Sequence, residues 1–268
     1  MGNTSTHPIQ LSFTIISNKH VAELLLEKAE KKDMYLEECY DDTSNALARK
    51  NMTYRANSIS PEEVTHYRTV LQRALAHIPQ RLRMDLNNID IIPLMPSADG
   101  GMPHTRPDHL ICVPNLTQLM SISTVIHELW HIHQRLYQSQ WLVIFEELGW
   151  KPWNGTIPLS LERFRRFNPD TIDSPFWIYQ NQWIPVPIFN DISHPSVQDT
   201  LIWFYQPYET YHVTSVPPEL KAQFPNAPPS AYEHPRELAA YVLSEPDRYR
   251  STPGFRTLQR AVGYLSIV

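Results

Sequence analysis

The chain has 268 residues, 42% of them hydrophobic and 19% charged. That is ordinary globular composition and enough chain to bury a substantial core. The formal net charge of −5, with no lysine or arginine block, gives no support to a nucleic-acid-binding face. Two cysteines, Cys39 and Cys112, are too few for a disulfide scaffold and read as buried free thiols in a reducing compartment.

The 24 prolines against 7 glycines point to stiff connecting segments rather than flexible linkers. No apolar run approaches the roughly 18 residues that a membrane span requires. Residues 1–17 read as a flexible N-terminus, without the basic and apolar regions of a secretory signal. They match M-G-x-x-x-[ST], with Gly2 exposed after loss of Met1 and Thr6 at the required position. A myristoyl group on Gly2 would give only weak membrane association, because no basic patch follows it.

In chain order, residues 18–50 read as a helix capped by Asn18, with Val21, Leu24, Leu25 and Ala29 at helical spacing. A second helix begins at SPEEV, where Ser60 caps, Pro61 takes the first position and Glu63 closes a capping box. Together these make residues 18–80 a helical N-terminal extension to one catalytic domain, residues 18–268. NIDIIPLMP (88–96) and DHLICVP (108–114) are short runs rich in β-formers between prolines, and read as strands. A helix follows from about Leu116 to Tyr137, and SQWLVIFEELGW gives another, stopped by Gly149. The proline- and aromatic-rich residues 150–232 read as loops with short strands. HPRELAAYVLSE and TPGFRTLQRAV open the last two helices, each with proline just inside its start.

The Leu116–Tyr137 helix carries HELWH. Positions i and i+4 share one helix face about 5–6 Å apart, so His127 and His131 present two imidazoles to one metal ion. Glu128 is rotated about 100° from that face and stands beside the metal, where a general base for an activated water is needed. Zinc suits imidazole and carboxylate ligands and lowers the pKa of a bound water to roughly 7. His133 lies about 200° from His131 around the axis and cannot reach the same ion. It reads as a surface histidine or one supporting a ligand.

HELWH resembles the H-E-x-x-H signature of the zincin superfamily of zinc metallopeptidases. That resemblance implies zinc on the two histidines, Glu128 as base, and an α+β fold with the active-site helix packed under a small mixed sheet. The metzincin extension is absent, since Gln134 and Tyr137 stand where glycine and histidine would, and the inverted H-x-x-E-H form is absent too. Cys112 lacks the surroundings of the peptide deformylase ligand. Glu146 and Glu147 could fold back to the metal, and His194, Glu209 and His212 are further candidates for a third ligand.

Glu237 is the preferred third ligand. It opens a separate helix, and Ala239 and Ala240 beside it permit close packing on another helix. This is similar to the gluzincin arrangement, although Ala240 and Tyr241 stand where several gluzincins carry an acidic residue. The pieces HELWHIHQRLY, RFNPD (166–170) and HPRELAAY also resemble zincin-like proteins of large DNA viruses and protists.

The expectation is therefore a zinc-dependent metallopeptidase with one Zn2+ on His127, His131 and Glu237. It would act on a peptide or protein substrate inside the cell, in the cytoplasm or associated with a virion. The alternative is a catalytically idle zincin-fold scaffold or virion component, tethered through Gly2. PHTRPDHLICVP is expected to form the sheet edge above the active-site helix and to pair with an extended peptide, as in zincins. His104, Arg106, Tyr208, Tyr211 and His212 are all eligible to stabilise a developing oxyanion, and the sequence does not choose among them.

Overall fold

The computed structural model of the protein describes residues 11–264. In chain order it has β1 (Ser12–Ile15), α1 (Lys19–Asp33), α2 (Tyr35–Asp41), α3 (Thr43–Arg49), α4 (Pro61–Ala74), α5 (Gln80–Asp85), β2 (Asn88–Pro93), β3 (His104–Arg106) and β4 (Leu110–Val113). Next come α6 (Ile122–Leu136), α7 (Gln138–Glu147), β5 (Trp150–Pro152), α8 (Leu159–Glu162), β6 (Trp177–Tyr179), β7 (Ile184–Phe189), β8 (Thr200–Gln206) and β9 (Tyr211–Val213). The chain closes with α9 (Pro218–Gln223), α10 (Pro235–Ser244), α11 (Pro246–Tyr249) and α12 (Pro253–Tyr264). The class is mixed α+β.

The main sheet runs β1-β2-β4-β3. Its first three strands are parallel, in the register Ser12↔Asn88 and Asp90↔Leu110, while β3 is antiparallel to β4. Both faces of the sheet are covered. Ile89, Ile91, Ile111 and Val113 join the large core that includes Leu129, Trp130 and Leu238, whereas Ile92, Leu94, Leu110 and Cys112 pack with Ala22, Leu26 and Ala29 of α1. Such two-sided burial is why β2 and β4 read as nearly continuous apolar runs rather than alternating ones. The two smaller sheets, β5-β6 and β7-β8-β9, are antiparallel and occupy the proline-rich middle of the chain.

Several expectations need correction. Residues 12–15 are not part of a flexible tail, because β1 hydrogen-bonds into the main sheet. The Gly2 motif of that tail lies outside the described residues. The helix expected over 18–50 is three helices, broken at Met34, which takes a left-handed conformation (φ 51°), and capped afresh by the Asp42 side chain on the Asn45 amide. Helices α4 and α5 contribute Leu71 and Leu82 to the core that holds Leu129 and Leu238, and α1 covers the other face of the sheet. The 108–113 strand is not the sheet edge, since β4 lies between β2 and β3. Among the described residues no helix is long and apolar enough to cross a membrane.

Candidate metal centre

Helix α6 starts where the Ser121 side chain accepts the Thr124 amide. Its apolar residues Val125, Ile126, Leu129, Trp130 and Ile132 are buried in the main core, which fixes the rotation of the helix about its axis. With that rotation set, His127 and His131 point toward α10. That helix begins at Pro235, with His234 as its cap: the Nδ1 atom accepts the Arg236 amide at 3.1 Å, and Nε2 donates to the Ser174 carbonyl at 2.8 Å. Acceptance at Nδ1 demands the neutral imidazole. Burial, reinforced by the Arg236 charge, accordingly pushes His234 down to about 3. Ala239 and Ala240 are fully buried, as close approach of two helices requires.

This packing brings the two histidines and Glu237 together. Their nearest ligand atoms form a triangle: His127 Nε2 to His131 Nε2 is 3.0 Å, and Glu237 Oε2 is 3.4 and 3.5 Å from them. Three donors at about 2.05 Å from one tetrahedral ion stand roughly 3.3 Å apart. The triangle therefore has the size and the donor chemistry of a zinc site, and among the described residues it is the group of three able to hold a metal.

The supporting contacts hold the ligands in that geometry. The Gln134 Nε2 group donates to the Arg236 carbonyl at 3.0 Å, so its Oε1 faces His131 Nδ1, also at 3.0 Å. The imidazole then donates from Nδ1 and leaves the Nε2 lone pair for a metal. One buried amide thus ties a ligand on α6 to the backbone beside the ligand on α10. Asn168 does the same for the carboxylate. Its Nδ2 donates to Glu237 Oε1 at 2.8 Å and to Glu233 Oε1 at 2.5 Å, while its Oδ1 accepts the Asp170 amide. Glu233 is in turn paired with Arg166.

Glu128 is 4% exposed, and its Oε2 has no hydrogen-bond partner. Burial, with the Asp170 and Glu237 carboxylates adding to it, holds its carboxyl well above the usual range. Glu237 runs the other way: burial alone would raise it, but the histidines hold it well below the ordinary value. His131, which burial alone would depress, is pushed up to about 9 by the Glu237 and Asp170 charges. A divalent cation would neutralise this deeply buried negative potential, taking the place of the proton that the carboxylates otherwise hold on His131.

A cleft of about 430 Å³ opens over this centre, between the first turn of α6 and the face of α10 that carries Glu237. Tyr241, one turn beyond Glu237, lines it with its ring 4.5 Å from that of His127. Burial of Tyr241, next to the Glu237 charge, pushes its hydroxyl up to about 12, so it stays a donor.

Of the residues considered from sequence, His127, Glu128, His131 and Glu237 are brought together, His104 lines the same cleft, and the rest lie elsewhere. His133 is fully buried on the far side of α6, neither at the surface nor against a ligand; its Nδ1 accepts Trp141 Nε1 at 2.9 Å and its Nε2 meets Asp85 at 2.8 Å. Glu146 and Glu147 are exposed on α7, with Glu147 paired to Arg260. His194 is exposed beside Asp191, and His212 stacks on Trp203. Cys112 is a buried free thiol in β4. His104 spends both ring nitrogens on Tyr54 and the Met102 carbonyl, and Arg106 is tied to Glu30 and Asp33.

Gln134, Asn168 and Tyr241 were not singled out from sequence. Helical spacing offered a hint for two of them, Gln134 at i+3 from His131 and Tyr241 at i+4 from Glu237; Asn168 offered none beyond the RFNPD resemblance. Compared with known protein families, curated proteins and solved structures, the chain matches none of them.

Proposed function

We propose that the protein is a zinc-dependent metallopeptidase with a zincin-like catalytic core. The observation that carries this reading is the pairing of a tetrahedral-sized His127–His131–Glu237 triangle with a buried, unpartnered Glu128 oxygen at the floor of an open cleft. A purely structural metal site has no use for such a carboxylate. The HELWH helix under a mixed sheet with an antiparallel outer strand supports the zincin comparison by analogy.

His127, His131 and Glu237 would hold the metal, which when bound supplies a Lewis acid that polarises the scissile carbonyl and acidifies water. Glu128 accepts the proton of the attacking water, its low-dielectric position strengthening that basicity during attack, and returns it to the leaving amine. Tyr241 offers its hydroxyl proton to the carbonyl oxygen as negative charge develops there. Gln134 and Asn168 keep His131 and Glu237 aimed at the metal throughout.

Zinc content and hydrolysis of a peptide library, measured on wild type, Glu128→Gln and Glu237→Ala, test the reading. Glu128→Gln is expected to keep zinc and lose turnover; Glu237→Ala is expected to lose zinc. A Glu128→Gln protein that hydrolyses as fast as wild type removes the proposed base, and a Glu237→Ala protein with wild-type zinc removes the third ligand.

A further inference from the structure

The strand closest to the cleft, β3, is sealed along its outer edge. In the antiparallel pair β3-β4, Thr105 is opposite Ile111, and its amide points away from β4 to bond Asp170 Oδ1 at 2.9 Å. The Thr105 carbonyl faces Arg135 Nη2 at 3.5 Å. The next outward register positions, 103 and 107, are both proline and carry no amide hydrogen. Every outward N–H of this edge is therefore absent or already used. Proline and an inward carboxylate are the devices by which sheet edges refuse an added strand.

The cleft beside that edge is also unusual in its lining. No leucine, isoleucine, phenylalanine or tryptophan contributes to it; its aliphatic share is Met102, Val197 and two prolines. Hydrogen-bonding groups replace them. Ser123 and Thr124 sit on the α6 turn just before His127, on the same helix face. Ser244 and Ser230 line the opposite wall near Tyr241, and Gln118 adds a buried Oε1 with no partner.

We infer that the substrate is a short peptide with uncharged polar side chains flanking the scissile bond, recognised by side-chain hydrogen bonds and not by strand addition. This rests on the peptidase reading of the same site. The unpartnered Gln118 Oε1 and the half-buried Ser123 and Thr124 hydroxyls discriminate against apolar residues, because an apolar neighbour leaves them without a partner for their free hydrogen-bonding capacity. The Glu245 carboxylate, at the C-terminal end of α10, disfavours acidic residues.

The test uses hexapeptide libraries that vary the two residues on each side of the bond, with matched members N-methylated on the backbone. Turnover is read on the zinc-loaded wild type, and binding on zinc-loaded Glu128→Gln by displacement of a fluorescent peptide. Serine, threonine, asparagine or glutamine at these positions should outperform leucine or phenylalanine by about tenfold or more in both readouts. N-methylation should change them by less than about threefold, a negligible difference in binding free energy. Preference for leucine or phenylalanine, or loss of binding on N-methylation, overturns the inference while leaving the peptidase reading in place. Polar-selective binding without wild-type turnover upholds the selectivity and removes the peptidase reading. Absence of binding by every member overturns both.

Discussion

Replacing Gln134 with leucine should loosen the metal centre without touching a ligand. The side chain is 1% exposed and makes two hydrogen bonds, from His131 Nδ1 and to the Arg236 carbonyl, both at 3.0 Å. Leucine approximates its volume but abandons both partners, and a buried group left unpaired costs about 1–3 kcal/mol. The Arg236 loss falls on the fold, whereas the His131 loss frees the imidazole to rotate or to take the wrong tautomer. Loss of such a supporting bond weakens metal affinity by about 10–100-fold, or roughly 1.4–2.8 kcal/mol. A cavity of about 350 Å³ lies behind Gln134, walled by Trp141, Phe145 and Trp177, and water entering there can replace part of the lost bonding. The expected loss is therefore toward the lower figure, about tenfold. Chelator competition at fixed pH measures the zinc affinity, and urea unfolding of the metal-free protein measures the fold separately. A folded Gln134→Leu protein with wild-type zinc affinity would refute the claim that this amide orients His131.

Asn168→Asp should be worse than Asn168→Ala, because it places a third carboxylate beside Glu233 and Glu237; an uncompensated buried charge costs about 3–5 kcal/mol, and urea unfolding of the two variants would read the order. Trp141→Phe removes the bond to His133 Nδ1 and should destabilise the fold by about 1–2 kcal/mol while leaving zinc affinity unchanged; weakened zinc binding would reopen the assignment of His133. The buried His234, faced by Arg236, Glu237 and Asp173, is held neutral down to about 3. The unfolded chain takes up a proton near 6.5 that the folded chain refuses, so this residue's share of stability is full above pH 6.5 and is lost as pH falls toward 3. Its upper limit is roughly 4–5 kcal/mol. His234→Asn keeps a capping side chain and removes that titration, so the stability of the variant should fall less steeply with acid; identical slopes in unfolding measured from pH 7 to 4 would contradict it.

What was legible in the sequence was local. The i, i+4 pair His127 and His131, the rotated Glu128, the caps at Asn18 and Ser60, and the prolines opening α4, α10 and α12 all follow from the geometry of single helices. Even the internal strands could be read, since burial on both faces writes itself as an unbroken apolar run. Glu237 needed a resemblance to support it, because residues 132–236 intervene and spacing along a chain says nothing of distance across a fold.

Tertiary structure alone decided the rest. Whether β4 or β3 is the edge depends on which strand takes the outermost place in the sheet, and the closing of that edge depends on Asp170 reaching it from a loop. Asn168 and Gln134 are neutral amides whose roles exist only when α6 and α10 are antiparallel and touching. His133, two residues from the candidate ligand His131, was sent to the opposite side of the helix by rotation alone, and what it finds there, Asp85 and Trp141, comes from two other helices. The sequence set the chemistry of the ligands; the packing of distant segments set which atoms are free to use it.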